Sequence, residues 1–124
     1  MTNPTQALES AIVAAGANVV PRVTPADIAA NIAGEYYFTA DKAVQAVFID
    51  QDEMTQLTGM HGELRLLTFC VLVLRNGFTV TGESACASPE NYNAEIGRRI
   101  ARENAVAKIW PLLGFALKEK LAAG

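Results

Sequence analysis

From Arg65 to Ser88 the chain reads RLLTFCVLVLRNGFTVTGESACAS. Two runs rich in β-branched and aromatic residues flank Asn76-Gly77, the preferred two-residue hairpin turn, in which both positions need positive φ. That turn predicts a register in which Arg75 faces Phe78, Val73 faces Val80, Val71 faces Gly82, Phe69 faces Ser84 and Leu67 faces Cys86. This face is mostly apolar and is expected to be core. The other face pairs Leu74 with Thr79, Leu72 with Thr81, Cys70 with Glu83 and Thr68 with Ala85. It is half polar and is expected to meet solvent, a partner or a ligand. The register sets Cys70 and Cys86 on opposite faces with diverging Cβ vectors, which predicts two free thiols. A two-stranded ribbon is marginal alone, so it must pack on helices or be completed by more strands or another subunit.

Helical spacing surrounds this hairpin. Ser88-Pro89-Glu90 reads as the capped start of a long helix. Within it Ala94, Gly97, Ala101 and Ala105 recur at steps of three and four, a stripe that lets a neighbouring backbone come close. Ile96, Ile100, Val106 and Ile109 flank it. Pro111 is expected to kink or interrupt the helix near Trp110, with LLGFALKEKLAAG resuming as a C-terminal helix. Upstream, Asn3-Pro4 opens a short amphipathic helix over about residues 4–15, ended by Gly16. Thr24-Pro25 begins a second helix that ends near Gly34, and Tyr36-Tyr37-Phe38 either extends it or starts a strand. ADKAVQAVFIDQDEMTQL fits a helix, followed by a loop from Thr58 to Gly62, and residues 39–63 are expected to be the most mobile part.

The pattern predicts a single α+β domain over residues 1–124: an antiparallel β-hairpin packed on a long C-terminal helix, with two shorter N-terminal helices. Residues 1–23 form the N-terminal helix and connector, and residues 64–124 the hairpin–helix core.

Composition narrows the function. Half of the 124 residues are hydrophobic, which suits a packed core rather than disorder. The formal charge of −3 argues against non-specific nucleic-acid binding. No apolar run is long enough to span a bilayer, and no cationic residues precede an apolar N-terminal segment. Cytoplasm is the expected setting.

Chemistry-bearing residues are sparse. With Cys70, Cys86 and one histidine, His61, a zinc site is not expected, and no cofactor is implied. Ser84 in GESAC lies inside a predicted strand and lacks the second glycine of a nucleophile elbow, so catalysis is not the expected role. The Asp50, Asp52 and Glu53 cluster reads as a solvated acidic loop. The basic helix carries two readings. Glu95 and Glu103 lie one turn from Arg99, which makes a salt-bridged solvent face. The other reading is an anion site, because the arginine fork suits phosphate. Its residues would be Arg98, Arg102, Lys108 and Trp110, with Thr79, Thr81 and Glu83 contributing from the hairpin.

The run LTFCVLVLRNGFTVTGESACASPENYNAEIGRRIARENAVAKIWPLLGF resembles the core of the phage gene-forty-nine/gene-sixty-six family of small tailed-phage proteins. TPADIAANIAGEYYFTA resembles the family's N-terminal half. The resemblance covers about residues 24–120 and is carried by Cys70, Asn76-Gly77-Phe78, Gly82-Glu83-Ser84, Asn91, Gly97, Ala101, Lys108 and Trp110. Tyr92 stands where phenylalanine is expected, and Leu113 where an acidic residue is common. The resemblance implies a phage or prophage accessory protein in the host bacterial cytoplasm, and it carries over no catalytic residues. The expected activity is non-enzymatic binding by a homo-oligomer, of a small phosphorylated ligand or a host protein. One version sequesters a nucleotide immune signal as an anti-defence sponge. The alternatives are an accessory factor for phage DNA replication or recombination, and a structural or assembly protein.

Overall fold

The computed structural model describes residues 3–18, 20–48 and 61–124. The acidic cluster at Asp50, Asp52 and Glu53, and the predicted loop from Thr58 to Met60, lie outside the described residues. Helices α1 (Pro4–Ala14) and α2 (Pro25–Asn31) precede strand β1 (Ile32–Thr39), which runs into helix α3 (Ala40–Phe48). A 3-10 turn (Gly62–Leu66) leads into β2 (Leu67–Leu74) and β3 (Thr79–Ala85), and helix α4 (Ala94–Ala122) ends the chain. The three strands form one antiparallel sheet in the order β1-β2-β3.

The expected α+β architecture is present, with a third strand that completes the ribbon. The run from Ile32 to Thr39, where the second helix was expected to continue as far as Gly34, is strand β1.

The hairpin register differs from the expected one by a single residue. Leu74 N–H donates to the Phe78 carbonyl at 2.8 Å, and Gly77 N–H donates to the Leu74 carbonyl at 2.9 Å. The turn therefore holds three residues, Arg75-Asn76-Gly77. Only Gly77 takes positive φ, at 90°, and the Asn76 side-chain oxygen accepts from Phe78 N–H at 2.9 Å. A three-residue loop with glycine in the left-handed position wins over the two-residue turn. Cys70 now faces Gly82, Leu72 faces Val80 and Val71 faces Thr81. A one-residue slip turns every β2 side chain to the other side. Thr68, Cys70, Leu72 and Leu74 are buried, whereas Phe69, Val71 and Val73, expected in the core, lie on the outer face.

Both cysteines are free. The reason is distance rather than opposed faces. Cys86 N–H donates to Leu66 O, so the ladder continues past β3 and strand alternation sets Cys86 on the same side as Cys70. The two are separated by four ladder positions, about 13 Å along the strands.

The inner face of the sheet packs on α4 through the small-residue stripe. Gly97, Ala101, Ala105 and Ile109 are its buried positions. Gly82 is the strand's contribution to this contact: a Cβ there would overlap the Ala101 carbonyl oxygen and the Ala105 amide nitrogen. Backbone thus meets backbone between β3 and α4. Gly97 lies over Thr68, where an added Cβ would stand 3.0 Å from the hydroxyl oxygen. Around this contact the core gathers Ile28, Cys70, Leu72, Leu74, Val80 and Ile109.

Two features of α4 depart from expectation. It begins at Ala94, capped by Asn93, whose side-chain oxygen accepts from Ile96 N–H at 3.0 Å. Ser88 makes no side-chain cap bond and precedes only a 3-10 turn, Pro89–Asn91. The helix also continues through Pro111 without interruption. Pro111 and Ala107 are both exposed, so water can serve the carbonyl that lost its donor.

Helix α1 has the expected Asn3 cap and a left-handed Gly16 after its end, yet buries none of its residues. Glu9 ties it to the connector by accepting twice from the Arg22 guanidinium, at 3.1 and 2.5 Å.

Candidate functional site

One side of α4 turns toward the inner face of β1, where alternation presents Glu35, Tyr37 and Thr39. This edge gathers two of the cations chosen from the sequence, Arg98 and Arg102. Arg102 donates to Glu35 at 2.7 Å, and Tyr37 donates its hydroxyl to the same Glu35 oxygen at 2.9 Å. The Arg102 hydrogen bond holds the Glu35 carboxyl below its usual pKa, and Glu35 in turn raises that of Arg102. Burial, then the bond to Glu35, pushes the Tyr37 phenol up to about 12. Burial likewise raises the Cys70 thiol beneath this row. Arg102 is therefore already neutralised by an acid 67 residues away in sequence.

Arg98, one turn earlier, has no carboxylate within salt-bridge distance among the described residues. It borders a cavity of about 200 Å³ with Tyr37, Thr39, Thr68 and Tyr92. The Thr68 hydroxyl oxygen is buried there without a hydrogen-bond partner.

On the opposite flank of Arg102 the surface opens into a larger cleft of about 610 Å³. Its walls are the start of α1, at Asn3 to Thr5, and α4 at Arg99, Arg102, Glu103, Val106, Ala107 and Trp110. Trp110 and Arg102 also line an adjoining apolar recess against Ile28 and Ile32. Arg99 meets Glu103 at a loose 3.7 Å, with both side chains mostly exposed.

Of the residues singled out from the sequence, Arg102 and Trp110 share the cleft, and Arg98 lines the neighbouring cavity. Lys108 is exposed on α4 and borders neither space. Thr79, Thr81 and Glu83 stand on the outer face of β3, with the sheet between them and the arginines. The sequence reading missed the contributions of Glu35 and Tyr37, and it assigned Arg99 to a salt-bridged face, where the structure does pair it with Glu103. Nothing local to Glu35 signals a partner on α4.

Among the described residues, no three His, Cys, Asp or Glu side chains gather as a metal site, and no helix is long and apolar enough to cross a membrane. The fold and this edge define a small three-stranded α+β protein with arginine- and aromatic-lined clefts along one long helix. Residues 23–121 match the Phage protein (N4 Gp49/phage Sf6 gene 66) family, and the chain belongs to that family of phage proteins. No curated protein and no solved structure matches the chain.

Proposed function

We propose that this phage accessory protein is a non-enzymatic binding protein for a small phosphorylated ligand of nucleotide size, acting in the host cytoplasm. The observation that supports this reading most is the cleft that joins Trp110 to Arg99 and Arg102. Its volume of about 610 Å³ falls in the range of small-ligand sites. Trp110 offers a stacking surface for a base. Arg99, loosely paired and exposed, is the cation free to turn to a phosphate, since Glu35 already holds Arg102. In its most specific form the ligand is a nucleotide immune signal, which the protein would remove from the host defence by sequestration.

A thermal-shift series with mononucleotides, cyclic dinucleotides and short DNA tests this. A ligand that binds only the folded state raises the melting temperature by mass action, by an amount equivalent to about 2.7 kcal/mol at a hundredfold excess over Kd. We expect a rise with a nucleotide and none with DNA. Arg99→Ala should abolish the rise while leaving the unliganded melting temperature unchanged, because the side chain is 79% exposed. An unchanged rise in that variant, or no rise with any nucleotide, removes this reading.

A further inference from the structure

The central strand reads Leu67-Thr68-Phe69-Cys70-Val71-Leu72-Val73-Leu74, apolar at every position but one. That one residue, Thr68, is only 1% exposed, and its hydroxyl oxygen has no hydrogen-bond partner. Buried hydroxyls are nearly always paired, because an unpaired one gives up its hydration without return. A valine would fill the same space without that cost, so packing does not account for the hydroxyl. Gly97 opens a gap beside it. A Cβ on Gly97 would stand 3.0 Å from the Thr68 hydroxyl oxygen and 3.7 Å from Cε2 of the Tyr92 ring. Thr68 and Tyr92 in turn line the cavity of about 200 Å³, together with Tyr37, Thr39 and Arg98. This lining holds one guanidinium and several hydroxyls, and it contains no Asp or Glu. Arg98 meets no carboxylate within salt-bridge distance among the described residues. Glu35, which accepts from the Tyr37 hydroxyl, is already held by Arg102. An uncompensated cation and an orphaned hydroxyl on one cavity suit an anion.

We propose that this cavity is a second anion site, which takes a phosphate group on Arg98 and the Thr68 hydroxyl. The oxygen count selects phosphate. A guanidinium fork occupies two oxygens of its partner, which leaves a carboxylate none to spare. A phosphate keeps further oxygens for the hydroxyls. The Thr68 hydroxyl can turn to a bound oxygen by rotation about χ1 between staggered positions. Size narrows the ligand further. The volume of about 200 Å³ lies below the roughly 300–1,000 Å³ of sites for drug-sized molecules. The site therefore suits phosphate itself or a small phosphomonoester, and a nucleotide is too large for it. The assignment does not rest on the nucleotide reading, because this cavity and the Trp110 cleft share no lining residue.

Isothermal titration calorimetry on the full chain, in a phosphate-free buffer, tests the proposal with two probes, inorganic phosphate and glycerol phosphate. Saturable binding of at least one of them is expected. Thr68→Val keeps the side-chain shape and removes the hydroxyl. It should weaken binding by about tenfold or more, while the melting temperature of the ligand-free chain holds or rises, because no orphaned hydroxyl is then buried. A hydroxyl needed only for folding would give the opposite pair of results, a lower melting temperature with binding intact. Arg98→Gln, at an exposed position, should weaken binding by a similar factor and keeps the test usable if Thr68→Val does not fold. Lys118→Gln removes an exposed cation near the end of α4 and should leave binding unchanged. Tighter binding of glycerol phosphate than of phosphate assigns the site to a phosphomonoester, and the reverse order assigns it to the free anion. Absence of saturable heat with both probes overturns the proposal and leaves the hydroxyl to water. So does wild-type affinity in folded Thr68→Val or Arg98→Gln. Loss of binding in Arg99→Ala with Arg98→Gln intact also overturns it, by placing the phosphate in the Trp110 cleft.

Discussion

Gly82 sits directly beneath Ala101 and Ala105, so the distance between β3 and α4 is set by the absence of one methyl group. The atoms a Cβ would strike are backbone atoms, which cannot rotate away as a flexible side chain can. Gly82→Ala should therefore push the whole helix outward and cost about 3 kcal/mol or more, at the upper end of overpacking effects. Chemical denaturation measures this, and a loss under about 1 kcal/mol would show that α4 can shift freely. A second residue-scale consequence follows from Tyr37. Its phenol titrates at about 12 when folded and near 10.0 when unfolded. A raised folded pKa means that the proton is held more tightly in the native state. The associated stability, at most roughly 2–3 kcal/mol, is complete below pH 10 and is lost as pH rises toward 12. Tyr37→Phe should flatten the dependence of the urea midpoint on pH across that window. An identical alkaline slope in wild type and variant would assign the loss to other groups. The small stripe on α4 was readable from its spacing alone. Its strand partner Gly82 was not identified, because spacing reports that a backbone approaches and not which one.

Elements show where local signals compete. The β1 run IAGEYYFT does alternate, but with polarity reversed from the usual pattern. Glu35 and Tyr37 point inward to Arg102, and Tyr36 and Phe38 point outward. The Glu35 carboxylate keeps partial access to water and meets an arginine from α4, and that pairing is invisible from the strand itself. The turn after β2 shows a different limit. Asn76-Gly77 correctly marks the hairpin, yet the same dipeptide fits a two-residue turn and the end of a three-residue one. Asymmetry decides: only glycine takes the left-handed conformation, and Asn76 uses its side chain on Phe78 N–H instead. That choice moved β2 by one residue and exchanged its faces, which carried Cys70 into the core and Val71 out of it. At α4 the sequence reading placed the start at Ser88-Pro89, and the structure places it at Asn93. The winner is the residue whose side chain reaches an orphan amide two to three positions on, and that residue is Asn93.

For the whole molecule the boundary of interest falls between α1 and the rest. The family match begins at residue 23, after α1, and α1 buries none of its residues. Its links to the body are the Glu9–Arg22 pair and the contact of Asn3 to Thr5 with the Trp110 cleft. The hydrophobic core is built from α2, the sheet and α4, without α1. Removing residues 1–20 should thus lower the melting temperature by only a few degrees and leave the far-ultraviolet spectrum of a sheet with one long helix. The same deletion strips one wall from the cleft, so the half-buried Trp110 should gain exposure and its fluorescence should shift to the red. Nucleotide-induced stabilisation should fall at the same time if the α1 wall closes on the ligand. Collapse of the truncated chain would mean that α1 supports the core through contacts its exposed side chains do not suggest. A stable truncation with an unshifted tryptophan would mean that α1 does not cover the cleft in solution. Because these readouts concern the core and the cleft separately, one deletion distinguishes which of the two α1 serves.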